Sequence, residues 1–321
     1  MKLIKFSLPA LLLGLLFPIF AAQSVSAQAV ADTAEAQDPR SQDEEATGDD
    51  ESNEAIDPTG FIRISRNADG DMLAMQTSVT RYEYMNDNGD MVYVDLIGVV
   101  HIGEQEYYEQ LNGIFEKYDA MLYELVAPEG TIIPRGGRTE GVTNPIAALQ
   151  LGMKQSLELE FQLEHIDYTR GNFVHADMSP EEFAESMARN DESFGKMFLR
   201  AIGSSMALQS RNQNSGLEYK MLRSMISGDS SSMRQAMAQQ MQDIESGMIM
   251  FEGKDGSTII DHRNAKCMDI LSRELDEGHT KLAIFYGAGH LPDMEERLIN
   301  DFNMKRGGRF WLDAWDLQPE E

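Results

Sequence analysis

The chain has 321 residues, a formal charge of −27 at pH 7 and a single cysteine. So large an excess of acid repels phosphate, which argues against nucleic acid or anionic lipid as a partner. One cysteine cannot close an intramolecular disulfide, so Cys267, beside Met268 and Ile270, reads as a buried structural side chain.

The N-terminus carries Lys2 and Lys5, an apolar run from Phe6 to Ala22, and then Val25-Ser26-Ala27, the small-residue pattern that a signal peptidase cuts after. Residues 1–27 are therefore expected to be a signal peptide. Pro9 and Pro18 interrupt the run, and it falls short of the ~20 apolar residues that a retained span needs. The expected destination is the periplasm or the extracellular space, with no stable membrane span after cleavage. Residues 28–58 hold eleven Asp or Glu, one Arg and no aromatic residue. Such a segment has too little to bury and reads as a disordered acidic linker. Residues 59–321 are long enough for one full core.

Met72 to Tyr84 and Met91 to Val100 are rich in β-formers and flank Asn86-Asp87-Asn88-Gly89, so they read as a hairpin. The apolar stretch Leu96-Ile97-Gly98-Val99-Val100 predicts a central strand, covered on both faces. Apolar residues at Tyr107, Tyr108, Leu111, Ile114, Phe115 and Tyr118 have helical spacing, and Met121-Leu122-Tyr123 follows as a short strand. This β-α-β unit would bring His101 and Glu124 to one sheet edge. Asn172-Phe173-Val174 is another short strand, and Ser179-Pro180-Glu181-Glu182 a capped helix start. Near the C-terminus, Lys281 to Tyr286 predicts a strand, Gly287 to His290 a turn, and Leu291 to Glu296 a helix opening. Arg309 to Ala314 would be an edge strand. The fold expected is α/β, a mixed central sheet with flanking helices.

The chemistry concentrates at two Gly-x-x-His turns, Gly98 to His101 and Gly287 to His290. Both histidines fall where a strand's C-terminal end meets a helix, the place where open α/β sheets bind ligands. With Glu124 in Leu122-Tyr123-Glu124-Leu125 and the pair Arg263-Asn264, these turns resemble the TraB, PrgY, GumN and Tiki group. Four features match in order, over roughly residues 90–126 and 258–300. The chain departs from the group's pattern at Val99, where a hydroxyl residue is usual, and at Asp293, where a Gly is common.

The resemblance implies a fold of the erythromycin-esterase and haem-uptake type and, for Tiki-type members, a divalent-metal-dependent peptidase activity in the cell envelope. It would make His101, Glu124 and His290 ligands of Mn, Co or Zn or activators of water. Arg263 would hold a substrate carboxylate or oxyanion, and Asn264 would orient one of these groups. A metal-free alternative uses His101 or His290 as the base toward water, with Glu124 fixing the tautomer. A third reading, as for PrgY-type members, is a protein that sequesters a peptide or signal without cleaving it. Each rests on a peptide or small-molecule ligand. Glu124 could also pair with Arg263 as a structural salt bridge in the same cleft.

His175 and Asp177 alternate along an extended segment and are candidates for the same cleft. His165, His262 and His279 receive no role. Ten methionines lie between Met187 and Met250. Met221 and Met225, then Met233, Met237 and Met241, share four-residue spacing. They predict a Met-rich helical insertion at about 179–250, packing a plastic apolar face on the domain or lining a peptide groove as a lid.

Overall fold

The protein is described from a computed structural model, covering residues 60–136, 157–190, 230–248 and 258–319. The expected leader and acidic linker, Met221, Met225 and most of the expected lid lie outside these residues.

Strand β1 (Ile62–Arg66) pairs antiparallel with the long β2 (Met72–Met85). Strand β2 then turns into β3 (Met91–Val99), as the sequence predicts. Asn86 makes the turn: its side-chain oxygen accepts from the N–H groups of Asn88 and Asp90, and Gly89 takes φ +87°. A two-residue strand β4 (Ile102–Gly103) precedes helix α1 (Gln105–Phe115). This helix buries Tyr107, Tyr108, Leu111 and Phe115. Tyr107 also bonds Thr77, and Tyr108 donates to the Val100 carbonyl, so neither phenol is buried unpaired.

After β5 (Ala120–Tyr123) come β6 (Glu160–Phe161), the single-turn helix α2 (Gln162–His165) and β7 (Phe173–His175). Helix α3 (Pro180–Arg189) opens with the expected reciprocal capping box between Ser179 and Glu182. Helix α4 (Ser230–Met248) packs on β1 and β9 and buries Met233, Met237 and Met241. A π-helical turn, Thr258–His262, leads into α5 (Arg263–Asp276). Then follow β8 (Lys281–Gly287), a 3-10 turn at Ala288–His290, α6 (Leu291–Asn300) and β9 (Lys305–Asp316).

The main sheet runs β1-β2-β3-β8-β5-β7, with β9 antiparallel on the other side of β2. Strands β3, β8, β5 and β7 are mutually parallel. This is the mixed α/β sheet expected, with β9 at its edge. The crossover from β3 through α1 to β5 skips one position, and β8 fills the gap from more than 150 residues later. Four strand C-termini therefore meet at one edge, carrying His101, His290, Glu124 and Asp177. Cys267 is buried, and burial pushes its thiol up, out of reactive range. No helix among the described residues is long and apolar enough to cross a membrane.

Candidate active site

Arg263 is the hub. It lies at the first position of α5, directly after the π-helical turn, which Ser186 of α3 ties down through a 2.5 Å bond to His262 Nδ1. Its Nε and one terminal nitrogen grip both oxygens of Asp177, at 2.9 and 2.6 Å. The same terminal nitrogen donates to Glu124 Oε1 at 2.6 Å. All three side chains are buried. Burial would pull the guanidinium down, but the two carboxylates more than offset it and hold the charge firmly. For Glu124, burial works upward, and the Arg263 charge overrides it, bringing the carboxyl to about 2. The salt bridge left open by the sequence is therefore present, and it sits inside the site. The second carboxylate oxygen of Glu124 accepts the Gly287 N–H at 2.7 Å.

The rest of Arg263 faces His290. Its other terminal nitrogen is 3.5 Å from His290 Nε2, and Glu124 Oε1 lies 3.5 Å from the same atom. The tautomer of His290 follows from its neighbours. Asn264 Nδ2 donates to the His290 carbonyl at 3.0 Å and to Asp293 at 2.7 Å, both acceptors only. Its oxygen must then face His290 Nδ1, 2.7 Å away, which donates and leaves Nε2 with the lone pair. Asp293, where the sequence departs from the group's pattern, also accepts from Arg297 and so anchors Asn264. Burial is the main influence on the His290 ring and lowers it to about 4, so it is neutral at neutral pH.

His101 is the half-buried member. Its turn is pinned from both sides. Trp315 donates to the Ile102 carbonyl, and β4 pairs with β6. That pairing places Gln162 beside His101: its backbone N–H donates to the His101 carbonyl at 3.0 Å, and its side-chain oxygen sits 2.8 Å from His101 Nδ1. Gln162 Nε2 in turn donates to Tyr168. A Cβ at Gly287 would lie 3.2 Å from Glu124 Oε2, 3.7 Å from His101 Nε2 and 3.8 Å from the His290 ring. The glycine thus keeps open the point on which the three side chains converge.

Other expected residues are placed differently. Gly98 lies under Leu291 and Ala288, and its missing side chain serves the packing of β3 against α6. His175 bonds the Leu125 carbonyl at 2.6 Å and packs near Tyr123, while Asp177, two residues on, reaches Arg263. Tyr286, given no role from sequence, lies edge-on to the His290 ring at 5.3 Å and donates to the Ala176 carbonyl. Gln162 and Tyr168 also went unmarked. A polar residue between Phe161 and Leu163 was the one local sign.

The chain matches no family model, no curated protein and no solved structure. The resemblance to the TraB and GumN group thus rests on its motifs alone.

Two imidazoles and a carboxylate are donors of the right kind for Mn, Co or Zn. The arrangement does not fit a cation held by those three. Among the described residues, the sets whose ligand atoms lie within 4.8 Å of one another are Glu160, Glu164 and His165, and Glu274, Glu277 and His279. His101, Glu124 and His290 do not form such a set. Both Glu124 oxygens already have partners, and the permanent charge of Arg263 lies against them.

Proposed function

We propose that this cluster is the catalytic centre of a hydrolase acting on peptides, with His101 as the base toward water. The observation that carries the reading is the half-exposed His101 ring, tied at Nδ1 and turned with Nε2 toward Glu124 across Gly287. His290 is less suited: burial holds its ring near 4, which makes it a weak base at neutral pH, and it is closed off from solvent. In the proposed step, water gives its proton to His101 Nε2 and its oxygen to the scissile carbonyl. Glu124, whose carboxylate lies beside the same point as His101 Nε2, stabilises the imidazolium. The proton then passes from His101 to the leaving amine.

The leader pattern of residues 1–27 supports an exported enzyme of the cell envelope, and the motif order supports an erythromycin-esterase-like fold. A metal-dependent peptidase is the reading the resemblance implies, and the donor types support it while their spacing does not. The test pairs peptide-library turnover with elemental analysis of the purified protein before and after chelation, for the parent, His101→Ala and His290→Ala. Turnover that survives chelation and is lost in His101→Ala would support the proposal. Stoichiometric metal, lost in both variants together with activity, would replace it with the metal-dependent reading. Binding without turnover would leave a sequestering protein.

A further inference from the structure

We infer that Gln162 is the positioning residue of His101: its amide oxygen accepts from Nδ1–H and so keeps the lone pair on Nε2. The inference rests on the proposed role of His101 for its effect on activity, and on geometry alone for its effect on the ring. An imidazole in water exchanges between two neutral tautomers, and a base that must accept at Nε2 needs the proton on Nδ1. Among the described residues, the one hydrogen-bond partner of the His101 ring is Gln162, at 2.8 Å.

Three contacts hold that amide in place. The β4–β6 pairing brings the two backbones together, with Ile102 opposite Phe161. The Gln162 N–H donates to the His101 carbonyl, so side chain and backbone both engage the same residue. The Tyr168 hydroxyl accepts from the amide nitrogen at 2.7 Å, and the amide oxygen then lies 2.8 Å from His101 Nδ1. Gln162 is buried, which shields these bonds from competing water. The arrangement parallels that at the other turn, where Asn264 holds His290 Nδ1 and Asp293 takes the amide nitrogen. The two histidines are thus clamped by amide oxygens from unrelated parts of the chain, and beside Gly287 His101 presents Nε2 while His290 presents its Cδ2 edge.

The test is long-range ¹H–¹⁵N NMR of the histidine rings in the purified protein at pH 8, with His101 assigned by its disappearance in His101→Gln. Expected is a predominant Nδ1–H tautomer for His101 in the parent. Gln162→Leu should give a tautomer mixture and a roughly 10- to 100-fold loss of turnover, the usual scale for such outer contacts. Gln162→Glu keeps an acceptor at the same reach, with Tyr168 now donating to it, and should restore both. Tyr168→Phe leaves Gln162 in place and should weaken the preference partially, so the test survives if Gln162→Leu does not fold. A parent ring protonated on Nε2, or a tautomer unchanged in Gln162→Leu, would overturn the inference. If the tautomer responds as expected while the parent cleaves no peptide, the proposed function fails and the positioning role stands.

Discussion

The two Gly-x-x-His turns look alike in sequence and differ in the fold. His290 is sealed beneath α5 and α6, with Arg263, Glu124 and the Tyr286 ring around it, and it belongs to a buried polar network. His101 is only partly buried, and its clamp comes from a short paired segment. One motif therefore supplies a buried half and, under the proposed function, a reactive half. Burial separates them: a group deep among charges is fixed in one protonation state, whereas one at the rim can exchange protons with a substrate.

The comparison breaks most severely at Arg263. Arg263→Met would strand Glu124 and Asp177 as buried, uncompensated carboxylates, and loss of one partner of such a network costs about 3–5 kcal/mol. Urea denaturation at pH 7 should show a drop on that scale, and a change below about 1 kcal/mol would contradict the hub role.

Acid should undo the buried half in two stages. The folded value of His290, about 4, lies below the ordinary 6.5, so the unfolded chain takes its proton first. Its contribution is complete above pH 6.5 and is lost as pH falls through 4. Glu124, at about 2 against 4.5, contributes fully above pH 4.5 and loses that contribution as pH falls through 2. Each group adds a slope of at most about 1.4 kcal/mol per pH unit within its window. Denaturation curves at pH 7, 5 and 3 should show this decline, and His290→Gln should flatten the upper window.

Direct truncation should separate the two turns. His290→Ala leaves the buried Asn264 Oδ1 without its partner and a cavity beside Arg263, and should cost roughly 2–3 kcal/mol. His101→Ala leaves the Gln162 oxygen without its partner at a partly exposed position that water can enter, and should cost less, about 1 kcal/mol, while lowering turnover about 100-fold or more, as for loss of a general base. Equal stability losses in the two variants would erase the distinction.

The smallest effect expected is at the point between them. Gly287→Ala places a methyl 3.2 Å from Glu124 Oε2, which must give way by a few tenths of an ångström. A cost of about 1 kcal/mol follows from crowding of this kind. Turnover should fall more than stability, because the methyl enters the space that the His101 lone pair faces.

Much of this was legible because local rules carried it. The Asn86–Gly89 turn, the stripe of α1 and the capping box at Ser179 each depend on residues within a turn or two of one another. The positions of His101, Glu124 and His290 at strand ends followed from the same local patterns. Three things did not. The insertion of β8 between β3 and β5 is a pairing across more than 150 residues, and apolar strands of similar composition do not announce their neighbours. Gln162 acts on His101 from 61 residues away, through a strand pair only two residues long. Asp177 and His175 share a local pattern, yet one grips Arg263 and the other a carbonyl.

The sequence by itself determined which residue types stand at the strand ends, because hydrophobic periodicity and turn chemistry act over a few residues. Only the tertiary structure decided which histidine is sealed and which is open, and which amide holds each ring. Burial and hydrogen-bond partners are properties of packed neighbours, and those neighbours come from distant parts of the chain.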